Sequence, residues 1–301
     1  MPTPPARFLD AAAVTALLPP PLELIALCED VLRKLGPDGA AASGAAAAGA
    51  TWRRNHEAGA LTGRAPLAAL LDAPGGAPRL VLERASFVDA RLAACAALAA
   101  KHLADPRAEV VTLLGCNARG RAAIEALLAV YPKMERMLCY DPDVRAQAEF
   151  ADSVMTSHDL ASIIPPEPRE ATEGAQILVT CQAVAKPPKP VIGADWLQTG
   201  TLCLSLDLDA SFMPAAIARA DRRLTDDLAG WRDCVAAGHL AGWAEPQEEL
   251  AAVVAGRAPG RAAGAPIIAL TLVGHPALDA ALAAELLRRA EASQRGTLLP
   301  A

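Results

Sequence analysis

The stretch Glu109–Asp143 reads EVVTLLGCNARGRAAIEALLAVYPKMERMLCYDPD. An apolar run, Val110–Leu114, meets a glycine-bearing turn. Apolar residues then recur at helical spacing to Val130, and a second apolar run ends at Asp141. Strand, turn, helix, strand and terminal acid in that order are the plan of a dinucleotide-binding βαβ unit. The turn departs from the Gly-x-Gly-x-x-Gly fingerprint: Gly115 and Gly120 hold the first and third places, but Asn117 holds the second, where bare backbone ordinarily faces a pyrophosphate. Asn tolerates left-handed backbone better than other side chains, so Asn117 is expected to keep a glycine-like path. Ala118 and Arg119 would open the helix, whose unpaired N–H groups and positive dipole end suit an anion. Asp141 stands where an acid would bond the adenosine ribose hydroxyls, which favours NAD over NADP; Arg119 and Arg121 keep the 2′-phosphate alternative open. The other reading of Asp141 is the opening of an Asp-Pro turn at Pro142.

Outward from this unit, Ala175–Cys181, Thr201–Leu206 and Ile267–Val273 read as further buried strands, with Thr180 and Cys181 placed at a strand end facing the cofactor. Strands alternating with helices predict a Rossmann-type doubly wound parallel sheet over residues 106–269. Upstream, Leu9–Leu35 reads as strand, turn and amphipathic helix. Two apolar runs around Pro74-Gly75-Gly76 predict a hairpin, and Val88–Leu103 an Ala-rich helix. The last helix, Pro276–Ala290, gathers Leu278, Leu282, Leu286 and Leu287 on one face and should return to the N-terminal part. The expected architecture is α/β, with a discontinuous α+β substrate and dimerisation domain from residues 1–105 and 270–301. Between its elements, Gly36–Ala50 is low-complexity Ala/Gly.

Composition narrows the function classes. A chain of 301 residues with 53% hydrophobic and 21% charged residues has ample material for two buried cores. Net charge −6 with scattered basic residues gives no footprint for nucleic acid. No apolar run approaches the roughly 20 residues of a bilayer span, and MPTPPARFLD has no secretory pattern, so a cytoplasmic protein without membrane or nucleic-acid partners is expected. Seven cysteines without a CxxC pair fit reduced core thiols, and no His/Cys/Asp/Glu spacing suggests a metal.

The segments RAPLAALLDAPGGAPRLVLERASFVDARLAACAALAA, LLGCNARGRAAIEALLAVYPKMERMLCYDPD, GTLCLSLDLDASF, DDLAGWRDCVAAGHLA and TLVGHPALDAALAAELLRRA together resemble the ornithine cyclodeaminase/μ-crystallin superfamily. Within it they are most similar to the siderophore-pathway N-(2-amino-2-carboxyethyl)-L-glutamate dehydrogenases. The resemblance implies substrate-carboxylate binding at Arg91, a catalytic aspartate at Asp209 with Asp207 as the other candidate, a recurrent glycine and acid at Gly274 and Asp279, and a homodimer. It also implies a lysine in a Gly-x-Lys-Trp-like strand, where this chain has Gly49-Ala50-Thr51-Trp52. Thr51 is neither cationic nor an effective proton shuttle near neutral pH. Arg53 and its neighbours Arg54, His56 and Glu57 are positioned to restore charge, or form a solvated loop.

The alternatives at each residue are structural. Arg91, in an otherwise apolar helix, needs a carboxylate from substrate or from the protein. Asp209 is a catalyst or the N-cap of the next helix. His239 and His275 read as satisfied structural histidines or as catalytic ones, and His102 as solvent-facing. Three functions follow: an NAD-dependent oxidoreductase acting at the C–N bond of an amino acid or N-substituted amino acid, through an imine and in siderophore or other specialised-metabolite synthesis; a cyclodeaminase with tightly held NAD; or a binding relative whose catalytic apparatus has decayed.

Overall fold

A computed structural model describes residues 5–36, 51–52, 67–71, 78–261 and 266–299. Strand β1 (Arg7–Leu9) leads into α1 (Ala11–Leu17), which Asp10 caps by accepting the Ala13 N–H at 2.8 Å. Pro21 opens α2 (Pro21–Lys34), a position where its missing N–H is no loss. Strand β2 (Thr51–Trp52) pairs antiparallel with β3 (Leu67–Leu71), and β3 with β4 (Pro78–Glu83), which is the expected hairpin; its Pro74-Gly75-Gly76 turn lies outside the described residues, as does most of Gly36–Ala50.

Helix α3 (Arg84–Leu103) starts four residues before the apolar pattern suggests. It is buried nearly all round, and the alanines from Ala93 to Ala100 let α2 and the next helix approach its backbone closely. There follow β5 (Val110–Leu114), α4 (Ala118–Val130), β6 (Arg136–Tyr140), α5 (Val144–His158), β7 (Ala161–Ile163), α6 (Pro168–Thr172) and β8 (Ile177–Thr180). The second half adds β9 (Leu202–Ser205), α7 (Pro214–Arg219), β10 (Arg222–Thr225), α8 (Leu228–Ala236), β11 (Glu248–Glu249), α9 (Leu250–Val254) and β12 (Ile268–Thr271). Helix α10 (Pro276–Ser293) and β13 (Thr297–Leu298) complete it.

Strands β5 to β12 form one eight-stranded sheet in the order β7-β6-β5-β8-β9-β12-β10-β11, every pairing parallel. The four-residue strands β8, β9 and β12 are buried at every position, as a sheet covered on both faces requires. Chain order reverses between β5 and β8, so the ligand crevice of such a sheet opens above those two strands. The second sheet runs β13-β1-β4-β3-β2 and joins both chain ends, with Leu278, Leu282, Leu286 and Leu287 of α10 buried as expected. The division expected at 269/270 falls inside β12, whose fourth residue, Thr271, still pairs with Ser205. No single helix among the described residues is long and apolar enough to cross a membrane.

Candidate active site

At the switch point, Gly115 has φ +110°, and a β-carbon there would come within 2.6 Å of the Cys181 carbonyl carbon. It therefore needs glycine twice over, for its dihedral and for the approach of the β8 end. Gly120 needs it for packing: a β-carbon would meet the Gly115 carbonyl at 2.5 Å and Leu113 at 3.0 Å, where α4 lies on β5. Asn117 corrects the expectation. Its backbone is extended, at φ −139° and ψ −174°, because it is the N-cap of α4 rather than a left-handed turn residue. Its Oδ1 accepts the Gly120 N–H at 3.1 Å and its Nδ2 donates to the Cys181 carbonyl at 2.7 Å. The side chain that replaces glycine's hydrogen is thus bonded to its own protein, and the Ala118 and Arg119 N–H groups have no protein acceptor among the described residues. Two unpaired donors at a helix N-terminus beside a glycine cradle fit a dinucleotide pyrophosphate.

Asp141 ends β6 beside this turn, half-buried, with Oδ2 accepting the Cys116 N–H at 2.8 Å and Oδ1 the Asp143 N–H at 3.0 Å. Each oxygen keeps a lone pair for a ribose hydroxyl. Of the two arginines that left a 2′-phosphate in play, Arg119 is engaged elsewhere and Arg121 stays at the cleft. Arg119 donates to Asp89 at 2.8 Å and to the Leu206 carbonyl at 3.1 Å, and Arg121 lies over the Phe150 ring at 5.1 Å. Arg119 thus ties α3 to the end of β9, so only its backbone is turned toward a cofactor. A cleft of about 700 Å³ opens beside the turn, bounded by Asp89, Asn117, Ala118, Arg121 and Phe150.

The two aspartates after β9 have different surroundings. Asp207 is fully buried and accepts from Thr180 Oγ1 (2.7 Å), the Gln182 N–H (2.9 Å) and Ser211 Oγ (2.6 Å). Burial pushes its pKa up against these bonds, and its three donors tie the ends of β8 and β9 together. The Thr180 hydroxyl donates its proton within that tie, and Cys181 contributes its carbonyl to Asn117 while its thiol is buried. Asp209 caps no helix, since α7 begins after Met213. Its Oδ2 accepts the Leu240 N–H at 2.8 Å, and its Oδ1, which makes no hydrogen bond among the described residues, lies 3.5 Å from His239 Nδ1. Both side chains are buried.

Arg91 receives protein carboxylates. Its Nε is 2.7 Å from Asp279 and Nη1 4.0 Å from Asp226, with the side chain 3% exposed. Burial would lower its pKa, but Asp279 and Asp226 outweigh that and hold it raised, so the guanidinium stays charged. Asp226 also accepts the Val273 and Gly274 N–H groups, at 2.8 and 2.9 Å. Gly274 lies flat against the cation: a β-carbon would come within 2.7 Å of it. Sequence reasoning missed Asp226; its only signal was the doubled acid Asp226-Asp227 directly after the short Arg222–Thr225 segment. His275 accepts the Ala277 N–H through Nδ1 and caps α10, a structural role. His102 is partly buried, 3.7 Å from Glu29, rather than solvent-facing. Thr51 pairs across β2–β3 with Leu71, while Arg53, Arg54, His56 and Glu57 lie outside the described residues.

A parallel sheet with its glycine cradle at the reversal of strand order, and acids collected at the carboxyl ends of its strands, defines a Rossmann-type α/β protein. Residues 40–294 match the ornithine cyclodeaminase/mu-crystallin family, and the chain belongs to that family. An uncharacterized cyclodeaminase of Sinorhizobium fredii is 32% identical over 229 residues, 73% of this chain and 68% of that protein. The N-((2S)-2-amino-2-carboxyethyl)-L-glutamate dehydrogenase of Staphylococcus aureus is 28% identical over 233 residues, 74% of this chain and 67% of that protein. An archaeal alanine dehydrogenase, solved as a dimer with bound NAD, shares the fold with a TM-score of 0.75 at 20% identity, covering 98% of this chain and 99% of that one.

Proposed function

We propose that this chain is an NAD-dependent oxidoreductase acting at the C–N bond of an amino acid or N-substituted amino acid by way of an imine. The observation that carries the reading is the free N–H pair of Ala118 and Arg119 beside Gly115, on the same sheet edge as the buried carboxylate of Asp209. NAD, when bound, takes or returns the α-hydride. Arg91, fixed by Asp279 and Asp226, holds the substrate carboxylate, and Asp209 takes the proton from the substrate nitrogen or from attacking water. Hydrolysis of the imine then breaks the C–N bond, and the departing amine recovers a proton. The relatives named as dehydrogenases support this reading. Kinship to a named cyclodeaminase supports a second one, in which hydride is returned and ammonia lost without net NADH.

The cofactor part of the chain is the eight-stranded sheet with its helices. The residues before β5 and after β12 form the substrate and dimerisation part, and the edge strands β2 and β13 of its sheet are available to a second copy. Seven buried cysteines, none in a disulfide, support a reducing, cytoplasmic setting, and likeness to the staphylococcal dehydrogenase supports a use in siderophore or related synthesis. The test is calorimetric titration with NADH, NADPH and their oxidised forms, followed by NADH-coupled assays on α-imino and N-carboxyalkyl amino acids. Tight NADH binding with turnover is expected. Binding of neither cofactor would refute the reading, and ammonia release without NADH would select the cyclodeaminase.

A further inference from the structure

Four residues other than glycine hold left-handed backbone among the described residues. Asp159 and Gln294 close α5 and α10, an ordinary place for that conformation. Leu208 (φ 57°) and Leu240 (φ 56°) close no helix, have buried side chains, and belong to a residue type that rarely adopts this conformation. Leu208 directly precedes Asp209, and Leu240 directly follows His239. Each is held in place. Ser205 Oγ donates to the Leu208 carbonyl at 2.8 Å and the Ala210 N–H to the Asp207 carbonyl at 3.2 Å, while the Leu240 N–H is bonded to Asp209 itself. Backbone strain maintained on both sides of one contact is a signature of a functional constellation, because packing alone gives no reason to keep it.

What the two strained turns bring together is a carboxylate oxygen without a hydrogen bond among the described residues, in a side chain 6% exposed, and an imidazole nitrogen 3.5 Å away in a side chain 2% exposed. A carboxylate so placed is costly unless it shares a proton or a charge. We propose that Asp209 and His239 form a proton-sharing pair, with Asp209 as the acid–base toward substrate and His239 as the positioning residue that aims Asp209 Oδ1 and accepts its proton. The pair rests on the oxidoreductase reading above. In the oxidative direction the substrate N–H bond gives its proton to Asp209 as the α-hydride leaves for NAD⁺. The proton moves on to His239, leaving Asp209 free to take a second one from the water that adds to the imine. Collapse of the carbinolamine sends its hydroxyl proton and one of these two to the departing amine, and the other is released to solvent. The ring nitrogen is thus a proton reservoir in a site closed to bulk water.

The test compares His239→Asn, which keeps an N–H near the Nδ1 position but cannot hold the proton, with the wild-type holoenzyme. Expected are unchanged NADH affinity and substrate KM, with kcat down about a hundredfold. Wild-type turnover in H239N would overturn the pair and leave the oxidoreductase reading standing, whereas an inactive wild type would overturn both. Independently of activity, the ring ¹⁵N resonances of His239 should move on Asp209→Asn substitution. Resonances that stay put would refute the coupling even if H239N fails to fold.

Discussion

Replacing Asp279 by Asn removes one charge from the most deeply buried ion cluster of the site while keeping the side chain's size. Arg91 is 3% and Asp279 7% exposed, with 2.7 Å between Nε and Oδ1, so solvent cannot take the place of the lost carboxylate. Breaking a buried pair on one side costs roughly 3–5 kcal/mol. Asp226 remains 4.0 Å from the other end of the guanidinium, which puts the expectation at the lower end, about 3 kcal/mol. A chain of 301 residues unfolds with an entropy of roughly 0.6 kcal/mol/K, so the melting temperature should fall by about 5 °C. The control is the surface pair Arg145–Glu149, whose side chains are 87% and 65% exposed; Glu149→Gln should leave the melting curve in place. Differential scanning calorimetry of both variants without ligand reads the contrast directly. A D279N protein that melts with the wild type would mean that Asp279 does not neutralise Arg91, and the account of how the arginine is held would be wrong.

Other expectations follow from the turn and from the charged end of α10. Gly115→Ala must place a β-carbon 2.6 Å from the β8 backbone at φ +110°, and Gly120→Ala one 2.5 Å from the Gly115 carbonyl; both should abolish NADH binding in calorimetry, and unaltered affinity in either would contradict the cradle. Asn117→Ala loses a cap worth about 1 kcal/mol, whereas Asn117→Gly should cost only a few tenths and keep NADH affinity; affinity much higher in the glycine variant would show that the native side chain obstructs the site. Glu285 is held at about 2, below its ordinary 4.5, by hydrogen bonds from Arg288 and then Arg289. Its contribution is therefore complete above the ordinary carboxylate range and lost as pH falls from there toward 2. After solvent screening it is about 1 kcal/mol or less. Glu285→Gln should melt slightly below wild type near neutrality, with the gap closing on acidification; a constant gap would refute the ion-pair origin.

The parts of this fold that follow local rules were legible in the chain. The β5–α4–β6 unit, the β3–β4 hairpin and the leucine face of α10 each declare themselves within a few turns of sequence. Long-range partners were not. Arg91, Asp226 and Asp279 meet only because α3, the end of β10 and α10 converge, so the apolar setting of Arg91 announced the need for a carboxylate without naming its source. Thr180 was assigned to the cofactor by position at a strand end, but its hydroxyl turns to Asp207, 27 residues on. Asn117 was misjudged for a related reason. Its place in the glycine pattern suggested left-handed backbone, and capping of α4, equally a property of Asn, set an extended one instead. The strain beside Asp209 and His239 had no sequence signal, since leucine is the last residue one would choose for it.

The central claim is that the turn from Gly115 to Gly120 holds a dinucleotide despite Asn117, and a crystal structure of the protein grown with NADH tests it most directly. The account predicts pyrophosphate oxygens on the Ala118 and Arg119 N–H groups, adenosine ribose hydroxyls on Asp141, and the Asn117 side chain still bonded to the Cys181 carbonyl. An Asn117 side chain swung across the helix end, with no dinucleotide density at saturating NADH, would contradict it.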